Sequence, residues 1–150
     1  NKINNSNTEK PVFIAVLNGS FLFAADIMRR ITIPNAEISF IKLSSYEGIK
    51  SNGEISELIG IKNNISGRNI ILLEDIVDTG NTLEKIIELL TQEQVSSIKV
   101  ATLLFKPNAY KKDLNIDYIG KSIENDFVVG YGLDYDEIGR NLPHIYKLKN

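Results

Sequence analysis

The sequence predicts an α/β domain with a mostly parallel central sheet flanked by helices. PVFIAVL from Pro11 is a short continuous apolar run, which is typical of a strand covered on both faces. NIILL from Asn69 predicts a buried strand, and SSIKVATLLF from Ser96 predicts another strand. Segments with helical spacing lie between them, and strands that alternate with helices favour a parallel sheet. A length of 150 residues favours one domain.

The first elements follow from polarity and spacing. Residues 1–10 (NKINNSNTEK) are polar without an apolar period, which predicts a disordered or tethering segment ahead of a single domain over residues 11–150. NGS ends the first strand, and FLFAADIMRRI from Phe21 has helical spacing with two arginines suited to a helix C-terminus. Pro34 precedes the next predicted strand, Ile38 to Leu43.

The connection over residues 44–57 (SSYEGIKSNGEISE) differs from its neighbours. It is polar and contains glycine, and a connection of this length is uncommon unless it is functional or disordered. The spacing of Ile49 and Ile55 also permits a loose hairpin. We therefore expect a loop that is functional or disordered.

The second half alternates strand and helix. TLEKIIELL from Thr82 is amphipathic, which predicts a helix. The strand SSIKVATLLF ends at Lys106 and is stopped by Pro107. Three short strands are predicted after it, in IDYIG, FVVGYGLDYDE and HIYKL.

Composition excludes several classes of function. A net charge of −2 provides no basic surface for nucleic acid, and no apolar run is long enough to span a membrane. Without a charged-then-apolar leader, the cytoplasm is the expected location. The chain has no cysteine and one histidine, His144, so a divalent metal would be held by oxygen, which suits magnesium.

Acidic and hydroxyl side chains follow the buried strand NIILL. In open parallel sheets, ligands bind beyond the carboxyl ends of the strands, where Glu74, Asp75 and Asp78 fall. Thr79 and Gly80 then lead into a helix, whose N-terminal amides attract phosphate. The stretch thus offers carboxylates for sugar hydroxyls or a metal beside a cradle for phosphate. The alternative is that these acids are ordinary helix caps.

The segment LLEDIVDTGNTL, from Leu72, resembles the phosphoribosyl-pyrophosphate binding motif of type I phosphoribosyltransferases. The resemblance widens to their hypoxanthine–guanine branch, of bacterial type, through FIAVLNGSFLFAA from Phe13, Ser44-Ser45-Tyr46, Lys106-Pro107 and FVVGYGLDY from Phe127. These segments occur in the family's order, and the resemblance covers nearly everything from Pro11 to Leu148. Relative to the family, an N-terminal stretch of roughly one or two helices is expected to be missing, which is consistent with the absence of an initial Met.

This resemblance implies a purine-salvage enzyme. It would transfer the 5-phosphoribosyl group from phosphoribosyl pyrophosphate to hypoxanthine or guanine, with magnesium as cofactor. The implied fold has a small hood and a flexible active-site loop. The implied assembly is a homodimer or homotetramer.

The resemblance also assigns the sugar-phosphate site. Glu74 and Asp75 would face the ribose hydroxyls and the magnesium shell, and Asp78 would be the general base near N7 of the purine. The loop from Asp78 to Thr82 would bind the 5′-phosphate. The matching substrate-binding positions are Leu17, Asn18 and Gly19 for pyrophosphate, and Ile76, Thr79, Gly80, Asn81 and Thr82 in the motif itself.

The base site is assigned in the same way. Lys106 would donate to the exocyclic oxygen of the purine, although a lone lysine that ends a strand is often only a solvated charge. Phe127 would stack on the base and the Val128 backbone would read its edge, although FVV also suits a core strand. Asp134 would bind a second magnesium ion and Arg140 would neutralise pyrophosphate.

Ser45 and Tyr46 would lie on a mobile loop, residues 44–57, that closes over the site. His144 is expected to be structural.

Three other interpretations stay open. The first is a xanthine-preferring enzyme of the same fold. The second is a non-catalytic, nucleotide-sensing regulator of that fold, but such a protein would need a basic face, and an isoelectric point near 5.5 argues against one. The third is an α/β interaction domain whose acidic loop is only a cap.

Overall fold

In the computed structural model, residues 1–44, 56–61 and 64–148 are described. Their elements, in chain order, are β1 (Val12–Val16), α1 (Phe21–Met28), β2 (Glu37–Ser44), β3 (Ser56–Ile59), β4 (Asn69–Val77), α2 (Asn81–Gln92), β5 (Ser97–Phe105), β6 (Tyr118–Ser122), β7 (Val128–Val129) and β8 (Tyr146–Lys147). Among the described residues, neither helix has the length and apolar character needed to cross a bilayer.

The main sheet has six strands in the order β3-β2-β1-β4-β5-β6. Strands β2, β1, β4, β5 and β6 run parallel to one another, and β3 pairs antiparallel with β2 at one edge. The predicted α/β architecture with a mostly parallel sheet is confirmed. Because β1 and β4 are parallel neighbours, the segments that follow them leave the same edge of the sheet.

Both faces of the sheet are covered, as the continuous apolar runs predict. One face packs against α2 through Ile14, Leu72 and Ile86, each fully buried. The opposite face packs against α1 through Phe13 and Leu73, also fully buried. Burial of each such side chain stabilises the fold by about 1.5–3 kcal/mol. The packing on both faces therefore holds the ends of β1 and β4 in fixed positions.

Residues 1–10 lie against the domain, and the predicted tether is not what the structure shows. The Ile3 side chain is only 9% exposed and belongs to the core on the α1 side. Asn4 holds the chain after α1, because its Nδ2 donates to the Arg30 carbonyl at 2.9 Å and its Oδ1 accepts from the Thr32 amide at 3.0 Å. One apolar side chain and one asparagine thus order a segment that lacks any apolar period.

The C-terminal part has less strand than its sequence predicts. Residues 127–148, called the hood below, contain a separate two-stranded antiparallel sheet of β7 and β8. Only Val128–Val129 of the predicted strand FVVGYGLDYDE is a strand, because Gly130, Tyr131 and Gly132 all have positive φ. Consecutive left-handed residues turn the chain and end the ladder.

The predicted functional loop over residues 44–57 lies mostly outside the described residues, and so do Ser45 and Tyr46. The two strands that flank it are described. Ser44 at the end of β2 pairs with Ser56 at the start of β3 in an antiparallel register.

Candidate active site

A cleft of about 380 Å³ opens at the carboxyl ends of β1 and β4. The turn after β1, the end of β4, the start of α2 and two hood residues line it. Its lining residues are Val16, Leu17, Asn18, Gly19, Glu74, Asp75, Ile76, Val77, Asp78, Thr79, Gly80, Asn81, Thr82, Leu83, Asp134 and Arg140. The structure therefore brings together the predicted sugar-phosphate residues from three separate parts of the sequence.

The two acids at the floor of the cleft belong to β4 itself. Glu74 is opposite Thr102 of β5 and is only 5% exposed. Burial, and then the charge of Asp75, raise the pKa of Glu74 well above its usual range. Burial also raises the pKa of Asp75, although its own hydrogen bond from the Ile76 amide, at 2.9 Å, opposes the rise. The charged forms of such carboxylates are stabilised by a ligand that donates hydrogen bonds to them or carries a positive charge.

The turn of residues 17–19 contacts Asp75 directly. A Cβ at Gly19 would collide with the Asp75 carboxylate, so this close approach requires glycine. The Leu17 amide donates to the Ile41 carbonyl at 2.9 Å, and the buried Ser20 hydroxyl donates to the Val16 carbonyl at 2.6 Å. The peptide bond between Leu17 and Asn18 is cis. These contacts fix a turn of backbone beside the acids.

Loop 78–82 joins the acids to α2. Gly80 is the N-cap of α2, with φ of +88°, and no side chain caps the helix there. The interpretation of the acids as helix caps is therefore not what the structure shows. The first turn of α2 lines the cleft next to Thr79, and the unpaired amides of a helix N-terminus favour an anion such as phosphate.

Lys106, just after the end of β5, pairs with Asp78 of the cleft. Its Nζ lies 2.8 Å from Asp78 Oδ2, and the residue is only 9% exposed. Its amide donates to the Val77 carbonyl at 3.0 Å, which extends the β4–β5 pairing to the site. The interpretation of Lys106 as a solvated charge is wrong, because the side chain is buried in an ion pair.

In the hood, Phe127 lies at the surface, 54% exposed, with its ring edge-to-face to Tyr135 at a centroid distance of 5.7 Å. Val128 is half-buried in β7, and Val129 is in the core. An exposed aromatic ring next to a short strand can stack on a planar ligand.

Asp134 and Arg140 face each other across the hood turn. Arg140 Nη2 lies 3.0 Å from Asp134 Oδ1, and its Nη1 donates to the Gly132 carbonyl at 2.9 Å. Asp134 Oδ2 accepts from the Glu137 amide at 2.9 Å, and the Glu137 carboxylate lies 3.4 Å from Arg140. Arg140 is thus held in place by three acceptors while it lines the cleft.

Comparison with known proteins assigns the family. The pattern of the phosphoribosyl transferase domain matches residues 1–136. This chain belongs to that family. The match includes residues 1–10, in agreement with their packing against the sheet.

Within the phosphoribosyl transferase family, the chain is similar to hypoxanthine-guanine phosphoribosyltransferases. It is 45% identical over 139 residues to the enzyme of Staphylococcus epidermidis, which covers 92% of this chain and 77% of that protein. A crystal structure of a hypoxanthine phosphoribosyltransferase from Staphylococcus aureus superposes with a TM-score of 0.90 at 40% identity, over 99% of this chain and 81% of that one. A hypoxanthine-guanine phosphoribosyltransferase from Bacillus anthracis superposes with a TM-score of 0.90 at 41% identity, over 99% and 88%.

The oxygen donors of this phosphoribosyl transferase site fit magnesium. Within the described part of the chain, no three acidic, histidine or cysteine side chains cluster as a closed metal cage. Magnesium usually takes one or two carboxylates together with water and substrate oxygens, so Glu74 and Asp75 at the cleft floor match its needs. Asp134, the third predicted ligand, lines the same cleft but is paired with Arg140.

Several residues around this phosphoribosyl transferase site have no local sequence signal. The Tyr131 hydroxyl donates to Asp26 of α1, and Tyr135 packs on Phe127. The Tyr110 ring and the Lys112 side chain lie behind Gly80. The glycines on both sides of Tyr131 do mark a turn, but its partner Asp26 lies far away in the sequence.

Proposed function

We propose that this protein transfers the 5-phosphoribosyl group of phosphoribosyl pyrophosphate to hypoxanthine or guanine and releases pyrophosphate. The observation that carries this proposal is the Asp78–Lys106 pair, 2.8 Å apart, at the junction of loop 78–82 and the end of β5. An acceptor and a donor side by side at this point would suit the edge of a purine, next to the proposed phosphate site. The names of the similar proteins support the same activity.

The sugar phosphate would lie along the cleft. The amides at the start of α2, with the hydroxyls of Thr79 and Thr82, hold the 5′-phosphate. Glu74 and Asp75 accept hydrogen bonds from the ribose hydroxyls. The backbone of turn 17–19 and the Arg140 guanidinium bind the pyrophosphate, whose negative charge grows as it leaves.

The purine would lie between Asp78, Lys106 and the hood. Asp78 accepts the N7 proton and so makes the ring a better nucleophile. Lys106 donates to the exocyclic oxygen, and an amino group at that position would set a donor against a donor. Phe127 stacks on the ring and the Val128 backbone contacts its edge.

We propose magnesium as the cofactor, held by Glu74 and Asp75 through the ribose hydroxyls and by Asp134 near the pyrophosphate. Bound there, the ion offsets the negative charge of the leaving group. A cation beside these two neighbouring acids would favour their charged forms. The chain contributes only oxygen ligands to this arrangement.

We also propose a homodimer or homotetramer in the cytoplasm, as the family resemblance implies. Neither a nucleic acid nor a membrane is a proposed partner. No observation favours the nucleotide-sensing regulator, since the net charge of −2 offers no general basic surface. A xanthine preference would be decided by contacts at the second oxygen of the ring.

The test is release of pyrophosphate from phosphoribosyl pyrophosphate with hypoxanthine, guanine, xanthine and adenine in turn. We expect turnover with hypoxanthine and guanine and none above background with adenine. Turnover with xanthine alone would show that xanthine is the substrate instead of hypoxanthine or guanine. Binding of phosphoribosyl pyrophosphate without turnover of any purine would overturn the proposed activity. That outcome would favour a non-catalytic, nucleotide-sensing regulator.

A further inference from the structure

Helix α1 and the hood are joined by one side-chain hydrogen bond. The Tyr131 hydroxyl donates to Asp26 Oδ2 on α1. Tyr131 lies in the hood turn between Gly130 and Gly132, with φ of +51°. A non-glycine residue keeps such a conformation only where its surroundings hold it. The contact therefore fixes the turn at a point where the backbone alone would not.

The Asp26 carboxylate has three side-chain partners, of which Tyr131 is the least exposed. The other carboxylate oxygen lies 3.5 Å from Arg29 and 3.8 Å from Arg30, whose side chains are 80% and 74% exposed. Exposed pairs at these distances contribute little. Tyr131 is half-buried, and burial, then its bond to Asp26, raise its pKa to about 12. The phenol thus remains a hydrogen-bond donor over the whole neutral range.

The backbone next to Tyr131 holds Arg140. The Gly132 carbonyl accepts from Arg140 Nη1 at 2.9 Å, and the Gly132 amide donates to the Arg140 carbonyl at 3.0 Å. On its other side, Gly132 touches turn 17–19, since a Cβ there would collide with the Gly19 carbonyl. Tyr131 thus directly precedes Gly132, which contacts both Arg140 and turn 17–19.

We infer that Asp26 and Tyr131 are positioning residues that set Arg140 and turn 17–19 at the spacing required by the pyrophosphate group. The inference rests on the proposed function. The positioning role predicts that the pyrophosphate and purine parts of the site respond differently to loss of the Asp26–Tyr131 hydrogen bond. Pyrophosphate recognition depends on this hydrogen bond, whereas purine recognition by Asp78 and Lys106 does not, because those residues are anchored by β4 and β5.

Tyr131→Phe is the sharpest test, because it removes one hydroxyl and keeps the ring. Loss of this hydrogen bond should raise the KM for phosphoribosyl pyrophosphate about three- to tenfold. Product inhibition by pyrophosphate should weaken in parallel, and the KM for hypoxanthine should stay unchanged. Asp26→Asn keeps an acceptor oxygen and should have a smaller effect. The double variant should be no worse than Tyr131→Phe alone, as for residues that act through one contact.

Tyr146→Phe is the matched control. Tyr146 is 44% exposed in β8 and packs on His144, so loss of its hydroxyl should leave both KM values as in the wild type. Equal rises in both KM values for Tyr131→Phe, or a lower Tm with unchanged kinetics, would reduce Tyr131 to a general structural role and overturn the inference.

Calorimetric titration of phosphoribosyl pyrophosphate separates this inference from the proposed function. Weaker binding to Tyr131→Phe than to the wild type supports the positioning role even if no purine is consumed, in which case only the proposed function fails. Equal binding to both proteins overturns the positioning role even if the wild type turns over hypoxanthine.

Discussion

Lys106 Nζ and Asp78 Oδ2 lie 2.8 Å apart, although the two residues belong to different strand–loop junctions. β4 and β5 pair in parallel up to Val77 and Phe105, so the residue after each strand emerges at the same level. A buried donor and a half-exposed acceptor are thereby held side by side. A purine with an exocyclic oxygen and a proton on the neighbouring ring nitrogen presents the complementary pair.

Asp78→Asn should lower kcat about 10²–10⁴-fold, because the amide can still accept a hydrogen bond from Lys106 but cannot take a proton. Affinity for phosphoribosyl pyrophosphate should change little, since backbone amides and hydroxyls bind the phosphate. Steady-state kinetics and ligand titration measure the two effects. Asp113→Asn, at an exposed aspartate, is the control. Loss of sugar-phosphate binding with unchanged kcat would refute the base assignment.

Lys106→Met keeps the length of the side chain and removes its charge. A charged hydrogen bond is worth about 1.5–3 kcal/mol, so the KM for hypoxanthine and guanine should rise about ten- to a hundredfold. The KM for phosphoribosyl pyrophosphate should stay the same. Lys121→Met, at an exposed lysine of β6, should change neither value. If Lys106→Met raises the KM of both substrates equally, Lys106 supports the fold rather than binds the base.

Gly80→Ala should destabilise the protein more than Gly67→Ala. Both glycines have positive φ, +88° and +70°, so both substitutions carry the same kind of backbone strain, about 1 kcal/mol. Only at Gly80 would the new Cβ be crowded, 2.6 Å from the Tyr110 ring and 2.7 Å from Lys112 Cγ. Thermal unfolding should rank them. Gly80→Ala should also weaken binding of the 5′-phosphate. Equal loss of Tm would show that Tyr110 and Lys112 move away freely.

Glu74→Gln should make stability less dependent on pH. Burial raises the pKa of Glu74 above its ordinary value of 4.5 in the folded state. The folded protein therefore holds a proton that the unfolded chain releases. This contribution to stability is complete below about pH 4.5 and is lost as the pH rises through the folded-state pKa. Glutamine has no such loss, so the Tm of the variant relative to the wild type should increase with pH. A constant difference in Tm would contradict the raised pKa.

Removal of divalent metal should abolish turnover. Every proposed metal ligand is an oxygen atom, and the cleft needs a cation to balance its carboxylates. Activity should be lost in excess chelator and return on addition of magnesium. Thermal unfolding in chelator controls for damage to the fold. Full activity in excess chelator would disprove the magnesium assignment.

The floor of the site could be predicted from sequence because it is a local pattern. A buried strand, two acids, and a threonine-glycine turn at a helix start lie within a few positions of one another, and each has its own physical signal. The Lys106–Asp78 contact was not among the predictions, because it depends on the parallel pairing of β4 with β5, which brings the two strand ends together. Ser45 and Tyr46 lie outside the described residues, so their predicted roles stay predictions.

Two features could not be predicted, for different reasons. Ile3 is a lone apolar residue among polar ones, and periodicity cannot detect a single anchoring side chain. The Asp26–Tyr131 bond joins elements far apart in the sequence, and its geometry depends on three consecutive residues with positive φ. Composition and spacing carry no information about such a partner.

Strand β4 lies between β1 and β5, and the hood contains only two strands of two residues each. Amides of the β4 floor should exchange with solvent only when the whole sheet opens, whereas the hood can open alone. Substitutions in the hood can therefore accumulate without unfolding the floor. Phe127, at the surface of the hood, is then free to change in evolution while the β4 floor that holds Glu74 and Asp75 keeps its structure.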